Sequence, residues 1–162
     1  MRDPKPVEGG RALLFERLAD SGPRSHEEEA QPFRVLDVGA LKESVRRELG
    51  RLLNTRRHAR PRAGEDGMTV LDYGLPDFSP LSASSGDDQN RLAAEVAAAI
   101  AAFEPRLSGV RVRAERLHGE DRALLLRVEG RLAVGTLAEP VSFPVLVRAK
   151  SGEALVDEDE PA

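Results

Sequence analysis

Pro105 separates two hydrophobic rhythms, and that change of period restricts the possible fold more than any other feature of the chain. Before it, Leu92, Val96, Ile100 and Phe103 recur at the spacing of one helix face. The alanines at 93, 94, 97, 98, 99, 101 and 102 favour the helix and permit close packing. Serine and aspartate between Ser85 and Asp88 suit its start, and the spacing predicts that it runs to Phe103. A proline disfavours helical backbone in the residue before it, so Glu104 is expected to be extended at the helix end. After Pro105 the period falls to two. Val110, Val112 and Ala114 alternate with Arg111, Arg113 and Glu115; Leu124, Leu126, Val128, Leu132 and Val134 oppose Leu125, Arg127, Glu129 and Arg131. Val141, Phe143, Val145 and Val147 share one face of a third strand, where Pro144 lacks an amide donor and argues for an edge or a bulge. The fold class that follows is α+β: helices packed on one face of a small antiparallel meander in the C-terminal half, its outer face rich in arginine.

Upstream, Val38, Leu41, Val45, Leu49, Leu52 and Leu53 mark an amphipathic helix capped by Asp37 and ending near Asn54 and Thr55. "RRHARPRAGEDG" reads as an exposed loop, Thr69 to Leu71 as a short β-prone piece, and "YGLPD" as a turn. Nearer the N-terminus, Leu13, Leu14, Phe15 and Leu18 form a short apolar helix followed by the tether "SGPRSHEEEAQP". So short a helix is marginal alone in water, so it docks either on its own domain or on a partner. The expected organisation is a helix and linker over 1–35, one α+β domain over 36–150, and an acidic tail over 151–162.

Composition narrows the function classes. A chain of 162 residues suits one domain with a real core. It has no cysteine, which removes disulfides, thiolate metal sites and cysteine nucleophiles and fits a reducing, cytoplasmic compartment. Neither a signal-peptide pattern nor a run of about 18 apolar residues is present, so a soluble protein without membrane insertion is expected. The net charge of −4 conceals a basic stretch from Lys42 to Arg62 and an acidic end, "VDEDEPA". That basic stretch is either a solvated helix face or a surface for an acidic protein. Nucleic acid is disfavoured by the negative total, the 4% aromatic content and the missing helix-turn-helix pattern.

Glu104 could be a glycosidase acid only with a second carboxylate roughly 5–9.5 Å away, for which Asp72 and Asp77 are the candidates. Arg106, two residues on in an extended segment, shares its side of the chain and would lower its pKa, the wrong direction for a general acid. The same geometry suits either an internal pair or a two-point polar contact with a partner. His26, His58 and His118 have no metal-ligand spacing, and no phosphate-binding or nucleophile-elbow motif occurs. No cofactor is expected.

Taken in order, "LFERLAD", "ESVRRELGRLLNTRR", "TVLDYGLPDFS" and "IAAFEPRL" resemble the TssE family of type VI secretion baseplate subunits, within the lysozyme-like baseplate wedge proteins of contractile-tailed phages. The resemblance spans most of residues 11 to 150. It implies a non-enzymatic wedge component in a sixfold baseplate docked at the inner membrane, bridging TssF, TssG and TssK to the first ring of the contractile sheath, near the inner tube and spike. It also implies a sheet edge that nucleates sheath by strand addition. The resemblance associates Glu104, Pro105 and Arg106 with assembly contacts, and the full set of residues expected to bind partners adds the apolar Leu14, Phe15 and Leu18 of the docking helix together with Arg56, Tyr73 and Asp77. The family's lysozyme-like label carries the competing expectation of peptidoglycan cleavage by Glu104.

Overall fold

Two helices and a four-stranded antiparallel sheet carry the core of the computed structural model, which describes residues 9–11, 13–14, 35–57, 69–117, 123–148 and 152–157. Helix α1 (Val38–Asn54) starts where the Asp37 carboxylate accepts the Ala40 amide at 2.8 Å. Helix α2 (Gly86–Phe103) starts where the Ser85 hydroxyl accepts from Asp88, with Asp87 and Asp88 complementing the helix dipole in the first turn. The sheet runs β3 (Leu107–Arg116), β4 (Ala123–Val134), β5 (Leu137–Arg148) and β6 (Glu153–Val156) as a simple meander in that spatial order. Two further strands of two residues, β1 (Gly10–Arg11) and β2 (Val35–Leu36), pair just ahead of α1. The sheet and helix pattern is the α+β arrangement that the change of period implies.

The inner face of the sheet packs on both helices. Leu126, Val128, Leu132, Phe143 and Val145 meet Leu41, Val45, Leu49, Leu53, Val96 and Ile100 in one continuous buried cluster. α2 lies against β3, and α1 lies against β6. Strand β3 reaches this core from both of its ends because of a bulge. The register slips between Ser108 and Arg111, so two β3 residues stand opposite Gly130. Gly109, at φ +61°, supplies the left-handed turn. The slip reverses side-chain parity, and Leu107 therefore faces the same way as Val110, Val112 and Ala114.

Three local expectations change. Thr69 to Leu71 is not a strand: Val70–Asp72 is a 3-10 turn. The β-prone composition loses to a capping box, in which the Thr69 hydroxyl accepts the Leu71 amide while Asp72 accepts from the Thr69 amide and hydroxyl. Pro144 lies in a strand with neighbours on both sides, β4 and β6. Its carbonyl accepts the Asp157 amide, so its missing donor points away from β4 and costs that ladder nothing. Finally, β6 emerges from the stretch expected to be an acidic tail, because Ala154 and Val156 alternate with the exposed Glu153 and Leu155 and are buried. The N-terminal helix falls largely outside the described residues, Phe15 and Leu18 included, and Leu14 is exposed.

The chain leaves α1 through Thr55, Arg56 and Arg57, which form a short parallel bridge with Leu75: the Leu75 amide donates to Thr55 O and the Arg57 amide to Leu75 O, each at 2.9 Å. Gly74 makes that approach possible. Its φ is +103°, and a Cβ there would stand 2.5 Å from Thr55 O. Gly74→Ala is therefore expected to cost about 2–3 kcal/mol, read as a lower urea midpoint at unchanged denaturant slope.

Candidate functional site

The last turn of α2 ends at Glu104, whose amide still donates to Ile100 O while its backbone has left the helix (φ −119°, ψ 81°) under the constraint of Pro105. A turn follows, closed by the Leu107 amide on Glu104 O. Arg106 then enters the sheet, its carbonyl accepting the Ala133 amide of β4 at 2.9 Å. Within this reversal the two side chains meet. Glu104 Oε1 accepts from the Arg106 amide (3.1 Å) and from Arg106 Nε (2.7 Å), and Oε2 accepts from Nη2 at 2.5 Å. The remaining nitrogen, Nη1, donates to the Ser44 hydroxyl on α1 at 2.7 Å.

Both charges are inside the fold. The side chains of Glu104 and Arg106 are 4% and 12% exposed. Of the two geometries open to this motif, the internal pair is the one formed. One fork-on-fork ion pair connects the end of α2, the start of β3, the middle of α1 and, through the backbone, β4. A Glu-Pro-Arg order does this economically, because proline fixes φ, needs no amide partner and sets the flanking side chains on one side. Ser44 is the partner that the sequence reading missed. Its signal is a hydroxyl within the buried stripe that holds Leu41, Val45 and Leu49, where an apolar residue would otherwise stand.

The other motif residues do not converge on Glu104 as a set. Tyr73, half-buried, packs edge-on against Phe103 with ring centroids 5.2 Å apart, one residue before Glu104. Burial raises its phenol above the ordinary range, and the nearby charge of Glu48 adds to this. Arg56 and Asp77 form a separate exposed corner. The Arg56 guanidinium lies 4.2 Å from the Phe78 ring centroid, and Asp77 accepts the Ser79 amide at 2.9 Å. That hydrogen bond is the main reason the Asp77 carboxyl is held below its usual value, with Arg56 contributing. Asp72 is buried within its own capping box.

The basic stretch is largely spent on structure. Arg46 forks onto Glu43 at 2.6 and 2.7 Å and reaches Val156 O at 3.1 Å. Arg47 also reaches Glu43, Arg51 pairs with Glu48, and Arg57 pairs with Glu95 at 2.5 Å. Among the described residues, Nε and Nη1 of Arg57 are buried without a hydrogen-bond acceptor. Arg56 donates to Leu53 O at 2.8 Å and to Gly152 O. Arg60, Arg62 and all three histidines lie outside the described residues.

A glutamate clasped by arginine, with its neighbours spent on locking helices to a sheet, defines an α+β module whose charged motif is turned inward onto its own fold. Residues 40–136 match the family model described as baseplate wedge protein gp25, and the chain belongs to that family, whose members are structural components of a baseplate. The resemblance carried by the sequence motifs is met at this level. A chain from a solved structure described as "The baseplate complex from the type VI secretion system" is also similar, at 20% identity over 68% of this chain and 99% of that one, with a TM-score of 0.47. No curated protein matches. Among the described residues no helix is long and apolar enough to cross a membrane.

Removing one member of a buried ion pair strands the other, so Glu104→Ala and Arg106→Ala are each expected to cost about 3–5 kcal/mol in urea unfolding. The paired replacement Glu104→Leu with Arg106→Met is expected to recover more than half of that loss, since neither charge is then left buried alone.

Proposed function

We propose that this chain is a TssE-type subunit of a type VI secretion baseplate that joins the wedge proteins TssF, TssG and TssK to the first ring of the contractile sheath and supports sheath nucleation. The motifs "LLNTR", "YGLPD" and "FEPRL" support the choice of secretion system. The observation that supports a joining role is the clasp: Glu104, Arg106 and Ser44 hold α1, α2 and the sheet as one unit, so a partner on the helices is mechanically connected to one on the sheet. In this reading the Glu-Pro-Arg motif acts on assembly through the shape it enforces. Direct contacts with wedge subunits fall to exposed groups: Leu14, the neighbouring Val70 and Leu71 held out by the capping box, and the Arg56–Asp77 corner. The assembled particle then sits in the cytoplasm against the inner membrane.

Peptidoglycan hydrolysis has no observation in its favour, because the carboxylate it requires is already bonded to a guanidinium on both oxygens. Purified chain is expected to leave cell-wall suspensions turbid between pH 4 and 8. The deciding experiment is affinity capture of the tagged chain from cells carrying the whole gene cluster. Wedge proteins and sheath subunits are expected in the eluate, and a Val70→Asp/Leu71→Asp variant, folded as wild type, is expected to lose the wedge proteins at least tenfold. Their absence from the wild-type eluate overturns the proposal.

A further inference from the structure

The outward face of the sheet carries a row of leucines that the core does not use. Leu125 of β4 stands opposite Leu146 of β5, and Leu146 stands opposite Leu155 of β6, so the register sets the three side by side across the strands. They alternate with inward residues such as Leu126, Val145 and Ala154 and take no part in the core cluster, because both helices pack on the other face. Leu125 and Leu146 are half-buried, and Leu155 is 45% exposed. Leu155 is also held in place. The Asn54 side chain accepts the Ala154 amide at 2.9 Å and donates to Ala154 O at 2.8 Å, and Arg46 donates to Val156 O at 3.1 Å, so α1 fixes the backbone on either side of it.

Charge is arranged unevenly around this row. Two residues along the strands, about 6.8 Å away, Arg113 of β3 stands directly opposite Arg127 of β4 on the same outward face. Like charges facing each other across a strand pair weaken a sheet. Arg111 follows on β3, opposite Glu129, and Arg131 follows on β4. Arg111, Arg113 and Arg131 are exposed. On the other flank of the leucines the signs are matched, with Arg148 3.9 Å from Glu153. The outward face is thus apolar along one row and basic along one side of it.

We infer that this outward face docks an acidic amphipathic helix of a neighbouring baseplate subunit, laid across the strands with its apolar stripe on Leu125, Leu146 and Leu155 and its carboxylates over Arg113 and Arg127. That the helix belongs to a baseplate subunit rests on the assembly role proposed above; its chemistry rests on the face itself. Spacing selects a helix. The leucines recur at roughly 4.8 Å, the distance between strands, and span about 10 Å, which matches positions i, i+3 or i+4, and i+7 of a helix rising 1.5 Å per residue. A strand laid on the same row repeats its side chains every ~6.8 Å and misses the middle leucine. Charge selects the sign. Carboxylates on one flank of the helix reach the Arg113 and Arg127 row, where they relieve the repulsion that the sheet otherwise carries. A second copy of this chain would add arginines to arginines, and an anionic membrane would meet Glu115, Glu129 and Glu153 on the same face.

The test places the photo-crosslinking residue benzoylphenylalanine at position 155 of the tagged full-length chain, in cells carrying the whole gene cluster, and maps the crosslinked peptide. The expected peptide comes from another subunit of the cluster and has apolar residues three and four apart flanked by aspartate or glutamate. Arg113→Glu, which turns the like-charge pair with Arg127 into an opposite one, is expected to lower that crosslink at least tenfold while its urea midpoint is no lower than that of wild type. Leu125→Glu is expected to lower it as far, and purified chain is expected to stay in the supernatant when vesicles of phosphatidylglycerol and phosphatidylethanolamine are sedimented. A crosslink to this chain itself, to a second copy or to a segment without that pattern overturns the inference, as does sedimentation with the vesicles that Arg113→Glu abolishes. If wedge and sheath subunits co-purify with the chain but no crosslink forms at position 155, the docking face falls and the joining function stands. If the acidic helix is crosslinked and no wedge protein co-purifies, the joining function falls and the docking face stands.

Discussion

A carboxylate and a guanidinium taken out of water together set the terms for everything around them. Glu104 and Arg106 are inside the fold, and ions in such a place are tolerated only when their hydrogen bonds are met. The requirement fixes the exit angle of α2, the start of β3 and the distance to α1, because each supplies a bond that the pair needs. Helix packing alone would leave these relations softer. Apolar contacts between alanine-rich α2 and its neighbours are many and nearly interchangeable, whereas a bidentate fork accepts one orientation. The clasp thus contributes uniqueness more than net free energy, a reasonable property for a part that must fit between others.

The arginines of α1 extend the same logic to the far side of the sheet. Arg46 and Asn54 face outward from α1 on one side of the helix, at a separation of about two turns, and both reach the backbone of β6. A four-residue strand with two buried side chains would be a weak element on its own. Side chains from a long helix hold it instead, and the charge excess in this region is absorbed by short-range pairing within the fold. What looks like a basic surface in one dimension is a set of brackets in three.

Most of the architecture was legible in the sequence because it depends on period. The stripes of α1 and α2, the alternation in β3, β4 and β5, and the caps at Asp37 and Ser85 are local signals that the fold keeps. The losses are equally physical. Val70–Asp72 has strand-like composition, but reciprocal capping by Thr69 and Asp72 outweighs a weak propensity. β6 is too short to show a rhythm and is hidden among acidic neighbours, and the bulge at Gly109 reverses the parity of β3 ahead of Val110 while the alternation from Val110 to Ala114 stands as the sequence shows it. In the candidate site, the shared side of Glu104 and Arg106 could be read from two-residue spacing across a proline. Ser44, 62 positions away, could not be matched to Arg106 without the fold, although a hydroxyl on an apolar stripe asked for a partner.

The amide of Asn54 has one more consequence. A sheet with two usable sides can be both donor and acceptor, and copies of it can stack without limit into a fibre. By standing where the next strand would go, Asn54 turns one side into a terminus. The sheet is left with that side closed at Ala154: a further strand from another copy cannot pair there, which blocks stacking through both sides into a fibre.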